Sequence, residues 1–163
     1  MEYTLLCNSY QSSLVGGEIT MVRMELVSIG IVQGTDGTVM VLREVDNSRL
    51  LVIGIGPLEA SAIAMELQGI VPPRPMTHDL LKNVLDTFSL SVERIVITDL
   101  RDNTFFATIR LKSPTEAVDV DSRPSDAIAL AVRTGAPIYC EESVLEAAGI
   151  SDDLDDDNST LVH

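Results

Sequence analysis

The sequence contains no tryptophan, and aromatic residues make up only 4% of its 163 positions. That argues against a nucleic-acid platform built from rows of stacked rings. There are two cysteines, Cys7 and Cys140, too few for a disulfide framework, so a reducing cytoplasm is the expected compartment. No run of 18 uninterrupted apolar residues occurs, so no membrane-spanning helix is expected. No basic region leads into an apolar stretch at the start, so no signal peptide is expected either. The nucleotide-binding patterns GxxxxGK[ST] and GxGxxG, the GxSxG nucleophile turn and the CxxC and HExxH metal motifs are all missing.

Positive charge is also scarce. Eleven Lys and Arg face 25 Asp and Glu, for a net charge of −14. The excess is uneven, because residues 151–163 carry five aspartates and no Lys or Arg, and residues 1–20 add Glu2 and Glu18. Residues 21–150 keep 18 acids against 11 bases, a net of −7. Such a body repels a phosphate backbone at long range, so any polyanion site must be a local basic pocket or depend on metal ions.

The apolar fraction of 45% is enough for one core, and the length suits one domain spanning about residues 21–150. The tail from residue 151 reads as disordered. Residues 1–20 lack a clear period and read as a flexible extension or as an annotation artefact with translation starting at Met21. The latter fits the purine-rich codons that Gly16-Gly17-Glu18 allows, and N-terminal mass spectrometry of the native protein tests it.

Val22–Gln33, Thr38–Val45 and Arg49–Ile55 read as strands joined by turn chemistry, an antiparallel meander. Pro57 opens a helix that Gly69 stops, and Val71-Pro72-Pro73-Arg74-Pro75 is a stiff connector. Thr77 is the expected N-cap of a helix to about Phe88, with Leu80, Leu81, Val84, Leu85 and Phe88 as its apolar stripe. Val92–Leu100 and Thr104–Lys112 form a hairpin, and Ala117–Asp121 a short strand. A helix over Pro124–Thr134 with Gly135 as its stop, a strand over Ile138–Cys140, and a helix over Ser143–Ala148 ended by Gly149 complete the pattern. The expected fold is α+β: a mixed, mainly antiparallel sheet of seven or so strands with three to four helices packed on it. A strand edge or the alanine-rich helix faces could form a homodimer.

Both Pro57-Leu58-Glu59-Ala60-Ser61-Ala62-Ile63-Ala64 and Pro124-Ser125-Asp126-Ala127-Ile128-Ala129-Leu130-Ala131 follow the pattern Pro-x-acid-Ala-x-Ala-x-Ala after a strand. An acid at the third helical position complements the helix dipole, which is reason enough for Glu59 and Asp126. The alternative is that the two acids converge at one cleft. Three polar clusters stand out besides. Arg74-Pro75-Met76-Thr77-His78-Asp79 puts a His-Asp pair at a helix start, either solvated or suited to a general base or metal ligand. Thr98-Asp99-Leu100-Arg101-Asp102 lies at a hairpin tip, as turn chemistry with a local ion pair or as part of a site. Asp119–Asp126 is a strand-to-helix entry, capped by Ser122 or Asp126, or an anion or metal site. Arginine, histidine and carboxylates at element ends suit phosphodiester hydrolysis, in which carboxylates place a metal or activate water and arginines stabilise phosphate charge.

Pro72-Pro73-Arg74-Pro75-Met76-Thr77-His78-Asp79-Leu80-Leu81 resembles the PPRPLTHDL signature of the bifunctional nuclease domain family. Residues 96–107 and 122–131 resemble its two further motifs, in the same order. Met76 replaces a usual Leu and Phe106 a common Tyr; the second change loses a hydroxyl. The resemblance implies a nuclease acting on DNA or RNA. Its candidate catalytic residues here are His78, Asp79, Asp99 and Asp126, with Arg74, Arg101, Arg123 and Ser125 for phosphate. Glu59, Asp99 and Asp126 are candidate ligands for Mg²⁺ or Mn²⁺. The competing reading, favoured by the acidic body, is a non-enzymatic regulatory or interaction module whose polar clusters cap helices or bind a small anion or a protein partner.

Overall fold

Alternation of apolar and polar residues turns the first third of the chain into strands. β1 (Met21–Ile31), β2 (Thr38–Glu44) and β3 (Arg49–Ile55) form an antiparallel meander. Met24, Met40, Leu42, Leu51 and Ile53 share its buried face, as the two-residue period requires. β4 (Ser91–Arg101), β5 (Thr104–Lys112) and β6 (Ala117–Ser122) form a second meander, with Ile95, Ile97, Ala107 and Ile109 buried. A computed structural model describes residues 20–32, 37–47 and 49–151. The N-terminal extension, most of the first turn with Gln33, and the acidic tail beyond Ser151 therefore lie outside the described residues.

β7 (Ile138–Glu141) joins the two meanders, parallel to β4 and antiparallel to β1. The sheet order is β6-β5-β4-β7-β1-β2-β3-β8, and β8 (Ile150–Ser151) pairs with β3. The fold is α+β, with a mainly antiparallel mixed sheet and four helices among the described residues. β8 was not foreseen, because two residues carry no period.

α1 (Pro57–Leu67) and α3 (Pro124–Thr134) each start with proline at the first helical position, where its missing N–H costs nothing. Gly135 takes the left-handed conformation expected of a helix stop, at φ 70°. α4 (Glu142–Ala148) also ends at glycine, for a different reason. Gly149 has φ −69°, and a Cβ there would collide with the carbonyl oxygen of Leu145.

α2 (Thr77–Thr87) corrects two expectations. Its N-cap is Met76, not Thr77, and the capping group is the Asp79 carboxylate, which accepts a hydrogen bond from the Met76 N–H at 2.8 Å. Its apolar stripe does not face the core. Of the five stripe residues only Leu85 is buried, while Leu80, Leu81, Val84 and Phe88 are exposed. The helix is instead held from its polar side. Arg133, at the end of α3 and only 6% exposed, donates to Asp79 Oδ1 at 2.6 Å, to the Ala62 carbonyl of α1 at 3.0 Å and to its own helix at Ala129 O. One guanidinium thus ties three helices together. Among the described residues no helix is long and apolar enough to cross a membrane.

Candidate active site

Strand twist accumulates along a sheet. Five strands separate β6 from β3 in the sheet order, yet the residues that follow these two strands meet. Arg123, the N-cap of α3, donates from Nη1 to Glu59 Oε1 of α1 at 3.0 Å. Its Nε and Nη2 donate to Asp126 Oδ2 at 2.8 Å and Oδ1 at 3.2 Å. His78 of α2 completes the cluster, with Nε2 at 3.1 Å from Asp126 Oδ1. Glu59 and Asp126 therefore stand at the third position of their helices and also converge, through one arginine.

The electrostatics follow from this geometry. Burial alone would raise the Asp126 carboxyl, but hydrogen bonds from Arg123 and His78 outweigh it and hold it below the ordinary value. Asp126 is thus an anion that only accepts, so the His78 proton in the neutral ring sits on Nε2. That leaves Nδ1 as a free lone pair, with no partner among the described residues. The His78 side chain is 13% exposed, whereas the Arg123 side chain is 65% exposed and stands at the mouth of the cluster.

A cleft of about 460 Å³ opens beside Glu59 and Arg123, while His78 and Asp126 stand behind that arginine and do not line it. Its lining consists of Glu59, Arg123, Pro124 and Ser125, Asn103, Thr104 and Phe105 of the β4–β5 hairpin, and residues 52–56. Ser125 is buried at 7% exposure, and its hydroxyl makes no hydrogen bond to a described residue.

The other candidates lie elsewhere. Asp79 is taken up by Arg133 and the Met76 N–H, which hold its carboxyl below the ordinary value. Asp99 pairs with Phe106 across the β4–β5 ladder, out of phase with buried Ile97 and with Leu100, which packs on the core. It therefore faces away from the helices, bonded to Arg101 Nε at 2.8 Å, while Arg101 stacks 4.0 Å above the Phe106 ring. Arg74 is exposed and has no ion-pair partner among the described residues. Ser122 does not cap α3; its hydroxyl donates to the Arg123 carbonyl at 3.0 Å. The buried Cys140 thiol is pushed up to about 12, first by burial and then by Glu141 and Glu142, so it is no nucleophile at neutral pH.

Glu59, Asp99 and Asp126 do not come together as a ligand set. No group of three or more His, Cys, Asp or Glu side chains able to hold a metal occurs among the described residues. Between Glu59 and Asp126 the compensating cation is the Arg123 guanidinium.

Sequence reasoning missed Arg133, since an arginine in the last turn of a helix ordinarily complements the dipole. It also missed a second network, in which buried Glu44 of β2 accepts from Arg49 of β3 at 2.6 and 3.0 Å and from Asn47 at 3.0 Å. Arg49 also donates to Glu142 of α4 at 2.6 and 3.1 Å. No signal in the sequence pairs residues 93 positions apart.

Comparison with known proteins bears on the same stretches. The chain is 41% identical over 144 residues to an uncharacterized protein of Mycobacterium tuberculosis, covering 87% of this chain and 86% of that protein. It is 26% identical over 116 residues to bifunctional nuclease 1 of Oryza sativa subsp. japonica, covering 68% of this chain and 35% of that protein. A family model described as bifunctional nuclease domain matches residues 40–153, a span that takes in the His78, Arg123 and Asp126 cluster and the whole cleft beside it. On that match the chain belongs to the bifunctional nuclease domain family.

Proposed function

We propose that the chain is a nuclease that hydrolyses phosphodiester bonds of DNA or RNA at the cleft beside His78, Arg123 and Asp126. The observation that carries this reading is the His78–Asp126–Arg123 arrangement, with an oriented imidazole and an exposed guanidinium side by side. Asp126 fixes the ring and its tautomer, and His78 Nδ1 takes a proton from a water molecule as that oxygen attacks phosphorus. Charge grows on the non-bridging oxygens, where Arg123 is available to stabilise it, and the P–O bond to the leaving group breaks. Water has then been added across that bond, giving a phosphate monoester and a hydroxyl once the leaving oxygen is protonated. Membership of the family and the rice relative's name support the reading. Among the described residues these side chains offer no ligand set for a divalent cation.

The test is digestion of labelled DNA and RNA by wild type, His78→Ala and Asp126→Asn, each with EDTA, with Mg²⁺ and with Mn²⁺. Cleavage by the wild type that both variants lose is the expected result, and stimulation by a metal would add the expected cofactor. Equal cleavage by all three proteins would point to another site. Absence of cleavage with retained oligonucleotide binding would leave the non-enzymatic module as the better reading.

A further inference from the structure

The cleft is lined by two chemically different kinds of polar group. At the starts of α1 and α3, Arg123 and the Ser125 hydroxyl form a setting for phosphate. From the β4–β5 hairpin, Asn103 brings an amide with two donors and an acceptor that bond to no described residue. The lining also includes apolar Ile55, Phe105 and Pro124. The volume of about 460 Å³ falls in the range of small-molecule sites.

Resting on the phosphodiester reading above, we infer that this cleft holds one unpaired nucleotide, with Asn103 hydrogen-bonding the edge of its base, so that single-stranded nucleic acid is the substrate. The hairpin tip supports the assignment independently. Asp102 and Asn103 both have left-handed backbones, at φ 48° and 60°. A two-residue turn of that kind is served best by glycine at its second position. This chain keeps an amide side chain there, on a residue that lines the cleft. A duplex fits poorly. Its bases are stacked and paired, and following its phosphates needs a basic stripe, whereas residues 21–150 carry a net charge of −7. Arg101, opposite Thr104 at the same hairpin, is paired with Asp99 on the other face.

The turn supplies its own control. Asp102→Gly relaxes the same backbone but lies outside the cleft lining, whereas Asn103→Gly removes the amide and relaxes the turn. Binding of labelled single-stranded DNA and RNA oligonucleotides, and of the matched duplex, is read by fluorescence anisotropy in EDTA, with thermal melts of each variant. Wild type should bind single strands at least about tenfold more tightly than duplex, and Asn103→Gly should weaken single-strand binding by about tenfold with an equal or higher Tm. Asp102→Gly should leave binding unchanged. The inference is overturned if single strands do not bind, if duplex binds as well, if Asn103→Gly binds like the wild type, or if Asp102→Gly loses as much. Cleavage assays on the same proteins keep the two readings apart. Selective single-strand binding without cleavage sinks only the nuclease, and equal cleavage of single strands and duplex by wild type and Asn103→Gly sinks only the single-strand assignment.

Discussion

α1 and α3 begin alike and end up in different surroundings. Both open with Pro-x-acid-Ala-x-Ala-x-Ala after the last strand of a three-stranded meander, and in both the acid binds Arg123. Yet α3 buries Ser125, Ala127 and every residue from there to Ala131, whereas α1 buries only Ala60 and Ile63. The second helical position shows the contrast best, with apolar Leu58 82% exposed and polar Ser125 at 7%. The shared pattern dictates how each helix starts, through proline and the dipole. What each helix packs against is dictated by neighbours: α3 packs on β4 and β5 of the sheet and also against α1 and α2, with its alanines allowing close approach.

The largest test of this asymmetry is catalytic. His78 is bound to the α3 acid, not to the α1 acid. His78→Ala and Asp126→Asn should each lower kcat by about 10²–10⁴. Glu59→Gln should cost less than about tenfold, because Arg123 keeps its two bonds to Asp126. Equal losses at Glu59 and Asp126 would abolish the distinction between the two helices at the site.

Next comes the fastener. Arg133→Met leaves the Asp79 carboxylate without its partner at a largely buried position and frees the Ala62 carbonyl. A loss of about 4 kcal/mol in urea unfolding is expected. A change below about 1 kcal/mol would mean that the three helices are held by apolar contact alone. Below that in size, Ile128→Ala in α3 should cost about 3 kcal/mol, while Ser61→Ala at the matching place in α1 should stay within about 0.5 kcal/mol. Ile128 is fully buried, and Ser61 is exposed. Comparable values would show that α1 is buried in solution by something else.

Much of this was legible locally. Alternation revealed the strands of both meanders, proline marked both helix starts, and the polar stretches flagged His78, Arg123 and Asp126. What escaped is long-range. No local signal puts β7 between β4 and β1, because that pairing depends on the chain returning after α3. The α2 stripe predicted a buried face, but its polar side is claimed by Arg133, so the helix is rotated and Leu80 and Phe88 stay outside. Asp99 shared a motif style with Asp126, but an irregularity in the β4–β5 register between Ile97, paired with Ala107, and Asp99, paired with Phe106, breaks the two-residue alternation and sends it to the opposite face.

The smallest effect concerns the end of the sheet from which α1 departs. Hydrogen bonds from Arg49 hold the Glu44 carboxyl below its ordinary value of 4.5 despite burial, and Glu142 is lowered by the same guanidinium. A carboxylate lowered in the folded state contributes stability that is fully present above the unfolded value. It is lost as pH falls through the folded one. Tm should therefore drop as the solution is acidified from about pH 5 towards 2. In Arg49→Met, Glu44 keeps its burial, which raises the carboxyl, and the weaker bond from Asn47, which lowers it. The variant starts less stable at pH 7, but its acid slope should be flatter, since protonating Glu44 now relieves an unpaired buried charge. Parallel Tm–pH curves for the two proteins would assign the acid sensitivity to the carboxylates around Arg123 and Arg133 instead. In that case the α3 side of the molecule, not the α1 side, would govern how it unfolds in acid.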